Sequence, residues 1–194
     1  MNDLSLGILL AGGRSTRMGR DKAILLIDGE PLWRRQARTL SSLGAARIVA
    51  SRQHDQPPLP GLEAIPDDDA DLGPLSGLHA GLRLGAGPLA ALLAIDMPGA
   101  GAAWFAPLLA AATPARGAVY RNGNYFEPLA ALYPLAALDA AARRIAARTL
   151  SMQALCEELG RAGLLAILDL PATLRPSAAN LNDAADSDRW GARP

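Results

Sequence analysis

Two short, predominantly apolar runs place the strongest constraint on how this chain can fold. Leu4–Leu10 and Leu89–Ile95 have the length of strands, and their continuous apolar character is typical of parallel strands that are covered on both faces. The first run ends in Ala11-Gly12-Gly13 and the second in Asp96-Met97-Pro98. Because ligands bind at the carboxyl ends of parallel strands, these two segments are the first candidates for a functional site.

Strand patterns and helix patterns alternate along the rest of the chain, which predicts an α/β fold. The other predicted strands are Ala23–Ile27, Arg47–Ser51, Leu62–Ile65, Ala118–Arg121, Tyr125–Leu132 and Leu164–Leu170. The predicted helices are Pro31–Leu43, one that comes with Gly73-Pro74-Leu75-Ser76-Gly77 and runs to about Leu84, Trp104–Ala112, and two within Leu135–Leu159, with Ser151 as the N-cap of the second. We expect a three-layer α/β/α sandwich around a mostly parallel sheet, with a small antiparallel excursion at the Asn122-Gly123 hairpin. Without an internal repeat or linker, residues 1–194 are predicted to form a single domain.

The balance of charges excludes several classes of partner. Nineteen basic and 19 acidic residues give no net charge, so neither nucleic acid nor a membrane surface is an expected partner. The segment Met1–Ser5 shows neither a signal-peptide nor a membrane-spanning pattern. One cysteine, Cys156, cannot form an intrachain disulfide, which favours a reducing, cytoplasmic location.

The segment that follows the first strand has the chemistry of a polyphosphate site. Gly12 and Gly13 allow backbone amides to approach a ligand closely, and Arg17 and Lys22 supply positive charge a few residues later. Its spacing fits neither a P-loop nor a dinucleotide fingerprint. A plain glycine turn with solvated arginines is the alternative interpretation of the glycine pair alone.

The complete run at residues 10–22 resembles the signature of nucleotidyltransferases of the molybdenum cofactor guanylyltransferase type. It reads Leu-Ala-Gly-Gly, then Arg17-Met18-Gly19, then Lys22. Later motifs of the family follow in order, and these are Gly73-Pro74-Leu75-Ser76-Gly77, Asp96-x-Pro98, Glu127 to Tyr133, and Asn180-Leu181-Asn182. Together these motifs extend over nearly the whole chain, which makes the resemblance far more specific than a single match.

The resemblance implies a Rossmann-like fold of the nucleotide-diphospho-sugar transferase type. It also implies that the chain transfers GMP from GTP to the terminal phosphate of the molybdopterin cofactor, with Mg²⁺ as the metal cofactor and pyrophosphate as the second product. Molybdoenzymes or cofactor-insertion proteins would be transient partners. The residues that the resemblance assigns to nucleotide binding are Leu10, Ala11, Gly12, Gly13, Lys22, Asp67 and Asp96, of which Asp96 also binds the metal.

The chemistry of these residue types agrees with those roles. Arg17 and Lys22 can neutralise charge on the triphosphate and on the departing pyrophosphate, and Asp96 is a hard oxygen ligand at a strand end. An aspartate there could instead cap the next helix. Asp67 could accept hydrogen bonds from the two guanine N–H groups, although any acidic residue of 67–71 could do so. Catalysis would thus rest on Arg17, Lys22 and Asp96.

Three further polar residues are candidates for supporting the substrate or metal. Asn180 and Asn182 could orient metal-bound water or substrate, or could cap a final helix. Related proteins differ from one another in the residue before this proline, and Glu127 occupies that position. The variation suggests that Glu127 contacts the acceptor.

The chain departs from the family pattern at Ile95, where a cysteine is common. Gly12 matches the relatives that use GTP, whereas relatives that use CTP carry alanine there. A related nucleotidyltransferase that uses CTP or another phosphorylated acceptor is therefore an alternative. A non-catalytic module that delivers cofactor is a second alternative, although binding alone would not require the Asp96 carboxylate.

Overall fold

The computed structural model describes residues 4–12, 21–66, 72–181 and 190. In chain order, the strands are β1 (Leu4–Leu10), β2 (Leu26–Ile27), β3 (Glu30–Pro31), β4 (Arg47–Arg52), β5 (Glu63–Pro66), β6 (Leu89–Ala94), β7 (Gly117–Asn122), β8 (Tyr125–Phe126), β9 (Ala130–Pro134) and β10 (Leu165–Asp169). The α-helices are α1 (Leu32–Ser42), α2 (Pro74–Leu82), α3 (Ala102–Ala111), α4 (Ala137–Ala146) and α5 (Met152–Arg161), and 3₁₀ helices lie at Lys22–Ile24 and Ala172–Ala178. Within these ranges, no helix has the length and apolar character needed to cross a membrane.

The strands of the main sheet follow the order β10-β7-β9-β6-β1-β4-β5, with β8 paired to β7. β1 is parallel to both of its neighbours, and Leu10 lies opposite Ser51 of β4 and Ala94 of β6. β9 runs antiparallel between β6 and β7, with Ala130 opposite Leu93. The carboxyl ends of β1, β4 and β6 and the amino end of β9 therefore lie along one edge of the sheet, which we call the carboxyl edge.

Helices cover both faces of the sheet. Successive side chains of β1 point in opposite directions, so neighbouring residues of β1 contact different helices. On one face, Gly81 of α2 lies against Ile8, and a Cβ at this glycine would overlap the isoleucine side chain. On the other face, a Cβ at Gly7 would lie 3.0 Å from the Leu40 Cβ of α1. These close approaches give the three-layer α/β sandwich that the sequence predicts.

The later helices are held by specific polar contacts as well as by apolar packing. α3 packs against β7 and β9, where the rings of Trp104 and Tyr120 meet edge to face with their centroids 5.0 Å apart. The Trp104 indole N–H also donates to the Ala130 carbonyl at 2.8 Å, which ties α3 to the amino end of β9. α4 packs against α2 and α5. Ser151 caps α5 by accepting from the Ala154 N–H, which confirms the predicted N-cap.

The predicted strand Ala23–Ile27 is wrong at its beginning. The Asp21 carboxylate accepts from the Ala23 N–H at 3.0 Å and caps the 3₁₀ helix there. Extended pairing starts at β2, which forms a hairpin with β3. Asp28 and Gly29 form the turn with φ values of 53° and 78°, as a two-residue hairpin of type I′ requires.

The predicted strand Tyr125–Leu132 is interrupted in the structure. β8 ends at Phe126, and the next strand pairs with different neighbours from Ala130 onward. Pro128 lies in the interruption and has no N–H to donate to a strand ladder. The side-chain amide of Gln153 pairs with both backbone groups of Phe126, at 2.7 and 2.9 Å, in the manner of a neighbouring strand.

Candidate functional site

The ends of β1 and β6 lie side by side at the carboxyl edge. The Ile95 N–H donates to the Leu10 carbonyl at 2.9 Å, so the parallel pairing of the two strands continues to their last residues. Asp96 follows directly in the turn after β6. The structure thus places the Asp96 carboxylate beside the end of the strand that leads into the glycine motif.

The first residues of the glycine motif run close to β4. The Ala11 N–H donates to the Ser51 carbonyl at 3.0 Å. A Cβ at Gly12 would lie 3.3 Å from the backbone nitrogen of Gln53, a distance that few side chains tolerate. The backbone can therefore approach the end of β4 this closely because residue 12 has no side chain.

The Asp96 carboxylate is half-buried, and burial raises its pKa above the ordinary value for an aspartate. The positive charge of Lys22 and a backbone hydrogen bond lower the pKa in part, but desolvation is the larger effect. A carboxylate in this environment would be stabilised by an additional positive charge.

Lys22 connects the glycine motif to the last motif of the sequence. Its ammonium donates to the Leu181 carbonyl at 2.5 Å, and the Leu181 N–H donates to the Asp96 carbonyl at 2.7 Å. Lys22 is also the one lysine in the sequence. Three segments that are distant in sequence thus meet at one point of the carboxyl edge and bring a cation and a carboxylate together.

Gln36 supports the turn that carries Asp96, and no motif in the sequence points to this residue. The Gln36 amide is buried in α1 and donates to the Ala94 carbonyl at 3.1 Å and to the Met97 carbonyl at 2.9 Å. These two carbonyls bracket Asp96 in the chain. The available signal was a polar residue on the apolar face of an amphipathic helix, which is unusual without a buried partner.

Arg52 is the second residue that the sequence gave no reason to select. It ends β4, is buried, and forms an ion pair with Asp21 at 2.7 Å. It also contributes to a pocket of about 180 Å³ beyond the ends of β4 and β5, whose other lining residues are Gln53, His54, Gln56, Pro58, Ala64 and Ile65. The planar guanidinium of a buried arginine fixes the directions of its hydrogen-bond acceptors, so Arg52 holds its partners in place at the carboxyl edge.

Glu127 lies at the same edge of the sheet, beside β7. It follows the β7–β8 hairpin, and its carboxylate accepts from the Asn122 side-chain amide at 3.1 Å. Burial raises the pKa of Glu127, while the hydrogen bond from Asn122 lowers it in part. Glu127 precedes the amino end of β9, which pairs directly with β6, and the Ala94 N–H donates to the Leu129 carbonyl at 2.8 Å.

The structure describes only one of the remaining predicted site residues. Asn180 is exposed, next to the buried Leu181 that contacts Lys22 and Asp96. Gly13, Arg17, Asp67 and Asn182 lie outside the described residues, and their assignments stay predictions.

The described part of the chain contains no group of three or more His, Cys, Asp or Glu side chains arranged to hold a metal ion. A single carboxylate nevertheless suits a hard divalent cation whose other ligands are phosphate oxygens and water. Asp96 with Lys22 beside it therefore fits a site for a charged, phosphate-containing ligand.

The profile of the family described as "MobA-like NTP transferase domain" matches residues 7–162 of the sequence. The chain belongs to this family. The matched range includes Lys22, Asp96 and Glu127, whereas Leu181 lies beyond it. The family assignment is in agreement with the resemblance found in the motifs.

The sequences of two relatives align with most of the length of this MobA-like NTP transferase. A protein of Opitutus terrae named "Probable molybdenum cofactor guanylyltransferase" is 42% identical over 187 residues, which cover 94% of this chain and 93% of the relative. A Pseudomonas aeruginosa protein named "Molybdenum cofactor guanylyltransferase" is 38% identical over 132 residues, 66% of this chain and 67% of the relative.

Solved structures share the fold of this MobA-like NTP transferase at low sequence identity. The Archaeoglobus fulgidus "Molybdopterin-guanine dinucleotide biosynthesis protein A" superposes with a TM-score of 0.71 at 21% identity, covering 95% of this chain and 96% of that chain. The 2-C-methyl-D-erythritol 4-phosphate cytidylyltransferase of Thermus thermophilus gives a TM-score of 0.68 at 17% identity and covers 97% of each chain. These likenesses confirm the predicted α/β fold.

Proposed function

We propose that this chain is a molybdenum cofactor guanylyltransferase, which transfers GMP from GTP to the terminal phosphate of molybdopterin and releases pyrophosphate. The observation that carries the proposal is the connection of Lys22 to Asp96 through Leu181 beside the end of β1. It places one cation and one carboxylate where the glycine motif begins. The names of the relatives that match over most of the chain supply the substrate class.

The reaction forms one bond and breaks one. An oxygen of the acceptor phosphate attacks the α-phosphorus of GTP, and the bond from that phosphorus to the bridging oxygen of the β-phosphate breaks. The leaving pyrophosphate takes the electron pair. Because the attacking oxygen is already anionic, no side chain has to remove a proton, and positioning and electrostatics provide the catalysis.

Lys22 and the glycine motif act on the nucleotide. The backbone of Leu10, Ala11 and Gly12, with Gly13, wraps the nucleotide, and the Lys22 ammonium contacts its phosphates. An ammonium has three N–H donors, so the bond to the Leu181 carbonyl leaves two of them to bind phosphate oxygens. Arg17 adds positive charge for the departing pyrophosphate.

Asp96 is the residue to which we assign Mg²⁺. The assignment is supported by a half-buried carboxylate whose pKa is raised by burial, because such a group gains stability from a cation. When bound, Mg²⁺ supplies positive charge that stabilises the pyrophosphate leaving group. The Gln36 amide holds the carbonyls on either side of Asp96 and so holds the backbone of the turn that carries the carboxylate.

The two substrates are assigned to different parts of the carboxyl edge. Asp67 contacts the guanine base, and Gly12 favours GTP over CTP. Glu127 is assigned to the side of the molybdopterin acceptor, whereas Asn180 and Asn182, on either side of Leu181, are assigned to orienting metal-bound water or substrate. We place the reaction in the cytoplasm, with transient contacts to molybdoenzymes or cofactor-insertion proteins, and the buried free thiol of Cys156 is compatible with a reducing compartment.

The test is to incubate the purified chain with Mg²⁺, molybdopterin and each of the four nucleoside triphosphates in turn. Pyrophosphate release and the mass of the product are measured. We expect release with GTP and a product whose mass equals molybdopterin plus GMP. Release with CTP alone would assign the chain to the cytidylyltransferases instead, and no release with any nucleotide would leave a binding or delivery module.

A further inference from the structure

The guanidinium of Arg52 is enclosed by protein acceptors at the carboxyl edge. Its side chain is 3% exposed. Nη1 donates to the Ala11 carbonyl at 3.2 Å, Nη2 donates to the Asp21 carboxylate at 2.7 Å, and Nε and Nη2 both donate to the Pro57 carbonyl, at 3.1 and 2.9 Å. One side chain thus joins the end of β1, the residue before Lys22 and the loop after β4.

The carboxylate of Asp21 also caps the 3₁₀ helix that carries Lys22. Its Oδ1 atom accepts from the Ala23 N–H and so begins the 3₁₀ helix Lys22–Ile24. Arg52 Nη1 also reaches this oxygen, at 3.4 Å. The position of the helix that carries the Lys22 ammonium is therefore set against β4 by Arg52.

Stability alone is a weak explanation for this ion pair. Removing a guanidinium from water is costly, and apolar side chains of similar volume often stabilise a fold as well or better. What a buried arginine offers is a rigid, planar fork that fixes the directions of several acceptors at once. Here two of the three acceptor residues, Ala11 and Asp21, flank residues 13–20 of the glycine motif, and the third, Pro57, lies in the loop after β4.

A second ion pair on β4 is exposed to solvent and thus differs from the pair of Arg52 and Asp21. At the other end of the strand, Arg47 binds Glu63 of β5 through both Nε and Nη2, at 2.6 to 2.9 Å. The side chains are 41% and 47% exposed, as in an ordinary surface salt bridge of small energetic value. Arg47 therefore provides a matched control for Arg52 on the same strand.

We propose that Arg52 and Asp21 are positioning residues, whose ion pair sets the Lys22 ammonium at the distance from the Ala11-Gly12 backbone that nucleotide phosphates require. The inference rests on the proposed phosphate contact of Lys22. Neither residue touches the substrate, and both act through Lys22 and the end of β1. Loss of the ion pair weakens phosphate binding while the sheet remains folded.

The experiment compares Asp21→Asn and Arg52→Lys with the control Arg47→Lys. Asn keeps the volume of Asp21 and an oxygen that can cap the 3₁₀ helix, but it removes the charge that Arg52 binds. Equilibrium binding of GTP and of inorganic tripolyphosphate, which has no base, is measured without the acceptor. Circular dichroism and melting temperature follow the fold of each protein, so Asp21→Asn carries the test if Arg52→Lys does not fold.

We expect Kd for both GTP and tripolyphosphate to rise about tenfold in the two test variants and to remain unchanged in the control. The KM for GTP should rise in parallel, while the KM for the acceptor stays the same. Melting temperatures that fall without any change in Kd would overturn the proposal and leave a structural ion pair. Weaker binding of GTP but not of tripolyphosphate would also overturn it, since the effect would then concern the base.

A double substitution tests whether the effect passes through Lys22. In a Lys22→Met background, Asp21→Asn should change the Kd for tripolyphosphate by less than about twofold, because coupled residues are not additive. A tenfold effect that persists without Lys22 would overturn the proposed route. A wild-type protein that binds GTP but forms no product would refute the guanylyltransferase function without affecting this comparison.

Discussion

Lys22 donates a hydrogen bond to the Leu181 carbonyl across 159 residues of sequence. Leu181 is buried and donates in turn to the Asp96 carbonyl. The segment near the end of the chain is therefore attached to the cation and to the strand end that bears the carboxylate. Occupation of the site by phosphates would alter the surroundings of all three residues together.

Lys22→Met is expected to lower kcat/KM for GTP by about 10²- to 10³-fold, the range observed when one charge-stabilising donor is removed from an active site. The apolar chain of methionine preserves much of the lysine volume but cannot neutralise phosphate. Pyrophosphate release measures the effect. Arg175→Met is the control, since it removes an exposed cation from the 3₁₀ helix that precedes Leu181, and it should change kcat/KM by less than twofold on the scale of surface substitutions.

The single lysine permits a second test by chemical modification. Acetylation removes the positive charge of a lysine, and Lys22 is the one lysine side chain available for this reaction. We expect acetylation of Lys22 to inactivate the protein and GTP to slow the modification. Peptide mass spectrometry separates Lys22 from the amino terminus. An acetylated Lys22 in fully active protein would contradict its contact with the phosphates.

Asp96→Asn is expected to stabilise the protein when divalent cations are absent. Burial raises the pKa of Asp96 above its ordinary value of 3.8, so the folded chain binds this proton more tightly than the unfolded chain. Stability from this group is lost as the pH rises above 3.8, and at neutral pH the ionised carboxylate opposes folding. In EDTA at pH 7, the variant should melt at a higher temperature, with a difference that shrinks as the pH is lowered toward 3.8.

The same variant should lose the transfer reaction and the response to Mg²⁺. If Asp96 binds the cation, adding Mg²⁺ to protein that already contains GTP raises the melting temperature of the wild type further but leaves that of Asp96→Asn unchanged. Asp169→Asn is a suitable control, because this exposed carboxylate pairs with Arg121 on the surface. Undiminished turnover of Asp96→Asn would contradict its assigned role as a metal ligand.

The sequence predicts much of the fold because its strongest patterns are local. The apolar runs at β1 and β6 and the serine that caps α5 depend on residues next to one another, and all three are found in the structure. The insertion of β9 between β6 and β7 depends on long-range pairing. Local sequence pattern cannot show where β9 inserts. Pro128 signals only that the predicted strand Tyr125–Leu132 is interrupted.

Prediction of the site was limited in a different way. The motifs indicated Lys22 and Asp96, and parallel strands bring their segments to one edge. The contact of Lys22 with Leu181 uses a backbone carbonyl, which every residue possesses, so no residue type reveals it. Arg52 resembles a solvated arginine in the sequence, because its burial depends on the approach of Ala11 and Pro57.

Gln36→Leu is expected to destabilise the protein and to reduce transfer. The substitution removes the two hydrogen bonds from the amide to the Ala94 and Met97 carbonyls, which keep the backbone N–H groups of Met97 and Ala100 as partners. The net contribution of one such hydrogen bond is about 0.5–1.5 kcal/mol. Because these carbonyls bracket Asp96, kcat should fall as well. Gln153→Leu is the matched control, since it removes an amide that pairs with Phe126. It should lower the free energy of unfolding to a similar extent and leave GTP binding unchanged, whereas an unchanged kcat in Gln36→Leu would contradict the positioning role.

Glu127→Gln is expected to raise the KM for molybdopterin and to leave the Kd for GTP unchanged. A carboxylate can accept hydrogen bonds from the amino group and the adjacent ring N–H of the pterin, whereas a glutamine amide presents one acceptor. Burial raises the pKa of Glu127, so the wild-type KM for the acceptor should increase as the pH falls through that raised pKa and the carboxylate is protonated. The variant should lack this pH dependence. Identical pH profiles in both proteins would contradict the contact, because the charge of Glu127 would then have no part in acceptor binding.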